Sequence, residues 1–153
     1  MIDLEPVARS KVTDQIRQQI AGSITPEGGA RAMTREQLQE LSAIPSVEVA
    51  AHTVTHPRLS YLGDAEQLEE IQNSKSDLEA LGIDVAGFSY PNGDYSSETW
   101  RLVKECGFDY ACTSWQAAVR KNNDCYQLPR IWAPNVGDQE FRRWMSAWSG
   151  LRN

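Results

Sequence analysis

Apolar positions recur along the chain at two different periods, and the switches between them mark out its elements. Val7, Val12, Ile16 and Ile20 share one helical face and predict an amphipathic helix near the N-terminus. Residues 23–32, SITPEGGARA, are rich in Gly, Pro and Ser and predict a loop or linker. From Thr34 the pattern sharpens. Thr34 and Gln37 have capping-box spacing, and Leu38 and Leu41 follow on one face, so a helix starts there and stops before Pro45. Residues 47–51, VEVAA, read as a buried strand ending at His52. Asp64 is placed to cap a second helix, with Gln67 at its third position. Leu68, Ile71, Leu78 and Leu81 make its apolar stripe, and Gly82 its stop.

Residues 85–90, VAGFSY, predict the next strand, and Pro91 to Asp94 turns the chain. Ser96 or Ser97 caps a helix that runs through Lys104 and ends at Gly107. Residues 108–113 predict a third strand and residues 127–131 a fourth. Asp138 is placed to cap a last helix carrying Phe141, Trp144, Met145 and Trp148. Strands alternating with helices imply βαβ units and a parallel sheet, hence an α/β fold with parallel strands and flanking helices. Ligands in such folds bind beyond the C-terminal ends of the strands. His52 directly follows the first clear strand, and Tyr90 to Asn92 lie at the end of the second, so both stretches fall on one sheet edge.

Composition narrows the partners. The 153 residues fit one domain able to bury roughly two-thirds of its unfolded surface. A net charge of −6 with no basic stripe argues against nucleic acid and anionic membrane, which need clustered Lys and Arg. No apolar run approaches the ~20 residues of a membrane span, and MIDLEPVARSKVTD has no signal-peptide core. Three cysteines, an odd count without Cys-x-x-Cys spacing, read as reduced thiols and imply a cytoplasmic location. Cys106 and Cys112 are expected to be small buried apolar residues.

Three stretches carry candidate chemistry. HTVTHP holds the chain's two histidines, His52 and His56, four positions apart. Such a pair can share a metal ion, although a zinc site in an enzyme wants about three protein ligands; two surface or capping histidines are the plainer alternative. Thr53 and Thr55 can brace the turn with their hydroxyls. FSYPNGDYS is either a tight turn or a rigid turn exposing a backbone amide suited to an oxyanion. In LPRIWAP, Arg130 sits among apolar residues and calls for a carboxylate, as a structural ion pair or as a ligand.

The order MTREQLQEL, VEVAAHTVTHPRLS, SKSDLEALG, FSYPNGDYS, LVKECGFDYACT and LPRI resembles the polysaccharide deacetylase family, the NodB-homology domain, over roughly residues 33–132. The resemblance implies a distorted (β/α) barrel and metal-dependent hydrolysis of N- or O-acetyl groups on acetylated carbohydrate. It implies that His52 and His56 bind the metal, zinc in most members, and that Thr53 stabilises their loop. It implies that Tyr90, Pro91, Asn92 and Gly93 line the groove, with Asn92 giving a backbone amide to the oxyanion. The family's T-F-D-D-G motif, which supplies the general base and third ligand, is absent, as is its late histidine; its third-motif arginine is Ser89 here, and Arg130 is a candidate for that charge. No catalytic base is found. The expected organisation is an N-terminal helical segment and linker at 1–32 and an incomplete barrel at 33–153, the C-terminal part of a deacetylase domain. Weak or absent activity follows. A non-catalytic glycan- or protein-binding remnant, and a split site completed by another chain, are the alternatives.

A barrel lacking its first strands leaves sheet edges open and apolar surface uncovered, which favours edge pairing or swapping. The chain is therefore expected to form a homo-oligomer. Light scattering in dilute solution should give a mass above one chain, and a strictly monomeric species would contradict the expectation.

Overall fold

The computed structural model describes residues 32–149, together with Ala8, Lys11, Val12, Asp14, Gln15 and Gln18, which are helical. Val7, Ile16 and Ile20 of the expected N-terminal helix, and nearly all of the linker at 23–32, lie outside the described residues. Helix α1, Arg35–Ser42, begins as its sequence foretells. The Thr34 Oγ1 accepts the Gln37 N–H at 3.3 Å, and Gln37 Oε1 accepts the Thr34 N–H at 3.0 Å. Gln39 then ties α1 across to the Leu81 carbonyl at 2.7 Å.

The expected strand at 47–51 contracts to a single parallel bridge. Ala51 donates to Gly87 O and accepts from Ser89, both at 2.9 Å. Strand β1, Gly87–Ser89, is three residues long, and with Ala51 opposite Phe88 none of it lies opposite residues 47–49. β1 pairs in parallel with β2, Tyr110–Cys112, in the register Gly87 to Tyr110, Phe88 to Ala111 and Ser89 to Cys112. The fourth strand expected at 127–131 is likewise a bridge, from Leu128 to Cys112. Its start is taken up by a 3-10 turn at Cys125–Gln127. The four segments thus lie side by side in sequence order.

Helix α2, Asp64–Glu79, links the first two segments. Asp64 is already helical, so the cap is Gly63, whose N–H is held by Glu66 Oε2 at 3.0 Å. The apolar stripe is also rotated from expectation. Ile71 is buried, but Leu68 is exposed and Gln67 points inward. Gln67 can do so because both ends of its amide find partners, Leu62 O at 3.0 Å and the Thr99 hydroxyl at 2.6 Å. Gly82 closes the helix at φ +78°, a conformation that needs glycine.

Helix α3, Ser97–Glu105, is capped by Ser96, which exchanges bonds with Thr99. Lys75 of α2 reaches its other end and donates to Cys106 O and Gly107 O at 3.1 and 2.6 Å. That places a cation on the negative pole of α3. Helix α4, Asp138–Ser149, starts one residue earlier than foreseen, since Phe141 N–H bonds Gly137 O and Asp138 lies inside the first turn. Its Phe141 and Met145 are exposed.

Phe88, Tyr90, Phe108, Val103, Ile71 and Ala111 form the buried centre between sheet and helices. The Phe88 ring meets those of Tyr90 and Phe108 at 5.4 and 5.2 Å. Cys106 and Cys112 are half-buried rather than buried, and all three cysteines are free. No helix among the described residues is long and apolar enough to cross a membrane.

Thr99 is the polar joint of this layer, fully buried and bonded to both Gln67 and the α3 cap. Thr99→Val keeps its shape but strands the Gln67 carbonyl. Urea unfolding should show a loss of about 1–3 kcal/mol.

Candidate functional site

The residues following Ala51, β1 and β2 converge on one edge of the sheet. Because Ala51 is bonded on both sides of Phe88, His52 falls against the end of β1. Its Nδ1 lies 2.6 Å from Ser89 O. A carbonyl can only accept, so Nδ1 carries the proton and neutral His52 presents a bare Nε2 lone pair. Ligating imidazoles are held this way, the far nitrogen free and the near one bonded to the protein. Partial burial of the ring lowers the His52 pKa from its ordinary 6.5. The Ser89 carbonyl opposes this, while His56 and Arg130 add to the lowering.

The His56 ring stands 4.8 Å from that of His52, centroid to centroid, at 71°. The backbone bends sharply to bring it there. Thr53 and His56 have φ of 63° and 59°, left-handed values that a non-glycine residue, above all a β-branched one, seldom adopts. Each costs on the order of 1–3 kcal/mol unless neighbours enforce it. Thr53 Oγ1 donates to His52 O at 2.5 Å and accepts the His56 N–H at 3.1 Å. Glu70 of α2 accepts from Val54 N–H, Thr55 N–H and the Thr55 hydroxyl at 2.8, 2.9 and 2.7 Å. Nothing in the local pattern singles out Glu70 from the other acids of α2, because its partners lie fifteen and sixteen residues away.

Beyond β1, Tyr90 is buried, stacked on Tyr95 at 4.6 Å, and donates to Tyr126 O at 2.9 Å; burial pushes its phenol pKa up. Pro91 is buried beside it. Asn92 is exposed at φ 58°. The turn closes through Gly93 N–H to Tyr90 O and Asp94 N–H to Pro91 O, which leaves the Asn92 N–H outside its own bonds. Gly93, at φ +68°, packs so tightly that a Cβ would lie 2.5 Å from Ser114 Oγ and 2.9 Å from Ser114 N. Asp94 Oδ2 accepts the Ser60 N–H at 2.9 Å and so clamps this turn to the chain leaving the histidine loop.

Arg130 departs from expectation. It is exposed, so its charge needs no ion-pair partner, and among the described residues no carboxylate pairs with it. Its Nε donates to Thr113 O at 2.8 Å, which holds it near enough to influence His52. The Ser89 Oγ is buried with no partner among the described residues. Among those residues no group of three His, Cys, Asp or Glu is placed to hold a metal ion. Among the described residues the arrangement therefore joins two imidazoles, an exposed turn amide and a cation.

A family model described as polysaccharide deacetylase matches residues 12–111. No curated protein sequence matches the chain. Among solved structures, a deacetylase from Streptococcus pyogenes in complex with acetate is 24% identical over 79% of this chain and 53% of its own, with a TM-score of 0.68. A polysaccharide deacetylase from Bacillus cereus is 17% identical over 90% of this chain and 47% of its own, with a TM-score of 0.66. The chain thus spans about half the length of each. These likenesses bear out the α/β architecture of parallel strands and flanking helices.

The lowered His52 pKa is open to measurement on the metal-free protein. An NMR titration should place its midpoint below 6.5. The unfolded chain then binds this proton more readily than the folded one. The His52 contribution to stability is accordingly full above about pH 6.5 and is lost as pH falls through the folded value. A midpoint at or above 6.5 would contradict the enclosure described.

Proposed function

Because the chain belongs to the polysaccharide deacetylase family, we propose that it carries the metal-binding half of a hydrolase that removes N- or O-acetyl groups from carbohydrate. The observation behind this reading is the paired imidazoles, with His52 Nδ1 on Ser89 O. Two imidazoles bound tetrahedrally to one zinc ion at about 2.0–2.1 Å put their ring centroids about 5 Å apart, close to the 4.8 Å observed. His52 and His56 would hold the ion, and zinc there supplies Lewis acidity toward an acetyl carbonyl. Thr53 keeps the loop in its strained form. Asn92 directs its free N–H at the oxygen that gains charge, where a fixed backbone donor is most effective. Tyr90, Pro91 and Gly93 make the rigid floor that aims it. Arg130 is a ready partner for a carboxylate brought by substrate or by another chain.

The proposal includes the limits of this polypeptide. Catalytic zinc is held by about three protein ligands, and two are at hand among the described residues. Loss of a positioned general base costs about 10²- to 10⁴-fold. Residues 33–153 are proposed as an incomplete barrel preceded by a helical segment and linker at 1–32. The chain alone is then weakly active or inactive. The exposed Arg130, with no carboxylate paired to it among the described residues, favours, as a second reading, a site completed by another chain of an oligomer. A glycan-binding remnant is the remaining alternative. The three free cysteines support a cytoplasmic location.

Crystals grown with zinc and measured at the zinc edge should show an anomalous peak between His52 and His56, absent in His52→Gln and His56→Gln. Acetate release from acetylated chitin oligomers should be slow or undetectable. A peak elsewhere that survives both substitutions would sink the assignment, and rapid release would sink the claim of an incomplete site.

A further inference from the structure

We propose that Glu70, on α2 and outside the histidine motif, is the positioning residue that holds the two imidazoles in metal-sharing geometry. The proposal rests on the reading of His52 and His56 as ligands. The loop that carries them has two left-handed non-glycine residues, Thr53 and His56, and the Thr53 hydroxyl braces it from within. Among the described residues Glu70 braces it from outside. Its Oε2 accepts two consecutive backbone N–H groups, those of Val54 and Thr55, at 2.8 and 2.9 Å, and its Oε1 accepts the Thr55 hydroxyl at 2.7 Å. Successive N–H groups turned toward one oxygen form a backbone nest, a concave site for negative charge. Here the charge is built in, and the nest lies between the two histidines. Charge-assisted bonds of this kind are about twice as strong as neutral ones.

The carboxylate is itself well anchored. The residue beside it, Ile71, is buried in the core. Gln67, one turn before it, bonds Thr99 of α3, and Lys75, further along α2, bonds the end of α3. A ligand loop tied to a helix fixed in this way cannot relax without giving up three bonds at once.

Glutamine separates positioning from mere charge. Its Oε1 can still accept both N–H groups. Its Nε2 can donate to the Thr55 hydroxyl, which rotates from donor to acceptor. Glu70→Gln thus keeps the brace and loses the charge, whereas Glu70→Ala loses both. Glu69→Gln removes the same charge one residue away and serves as control.

Zinc binding by calorimetry on the full chain, with amide hydrogen exchange on the metal-free chain, tests this. Glu70→Ala should weaken zinc by about 10- to 100-fold, the usual effect of removing an outer support of a metal ligand, and should expose the Val54 and Thr55 amides to exchange. Glu70→Gln should stay within a few-fold of the parent and keep both amides protected, and Glu69→Gln should change neither. Unchanged zinc affinity and exchange in Glu70→Ala would overturn the proposal. So would equal losses in Glu70→Gln, Glu70→Ala and Glu69→Gln, which would reveal a charge effect. A parent chain that binds no zinc would instead bring down the reading of the histidines. The exchange data would then still decide whether Glu70 holds the loop.

Discussion

Two backbone hydrogen bonds, from Ala51 to Gly87 and from Ser89 to Ala51, set the register on which the rest depends. They are the only ladder between the first segment and β1 among the described residues. With Ala51 opposite Phe88, His52 must emerge beside the Ser89 carbonyl, and that contact selects its tautomer. A slip of one residue would turn His52 to the other face of the sheet and bring a different residue to the carbonyl. The pairing of β1 with β2 carries the same edge onward to Ser114, against which Gly93 packs.

The site is rigid because strained backbone is held from outside. Thr53, His56 and Asn92 all adopt left-handed conformations within the two loops at this edge. None is glycine, so each conformation is imposed by its surroundings. Glu70 and the Thr53 hydroxyl hold the first loop, Asp94 joins it to the second, and Tyr90 and Gly93 fix the second against the core. Strain held in this way is common where a loop must present ligands or donors before substrate arrives.

The same bonds account for the acids that lie nearest the two histidines among the described residues. Among the described residues Glu70 and Asp94 are acids that reach these two loops; Glu70 spends its oxygens on two backbone N–H groups and the Thr55 hydroxyl, and Asp94 spends Oδ2 on the Ser60 N–H. Among the described residues, this edge brings together two imidazoles, the Asn92 amide and the Arg130 guanidinium. The relatives of known structure are about twice as long.

Features governed by neighbours in sequence were legible from the residues alone. The capping pair at Thr34 and the glycine stops at Gly82 and Gly107 encode helix ends, because each acts over three or four residues, and Ser96 was one of two cap candidates; the caps read at Asp64 and Asp138 fell one residue late. His52 at a strand end and the Pro91–Gly93 turn were readable for the same reason. The tertiary structure decided what depends on distant partners. It reduced the strand at 47–51 to one bridge, β1 beginning at Gly87, short of the positions opposite residues 47–49. It turned Gln67 inward and Leu68 outward because Thr99, thirty-two residues away, satisfies the amide. It put Arg130 in water, where its charge needs no mate, and it brought Glu70 under the histidine loop. Local propensity can place a histidine at the end of a strand, but only the packing of α2 against the sheet could determine which of its many acids would hold that histidine in place.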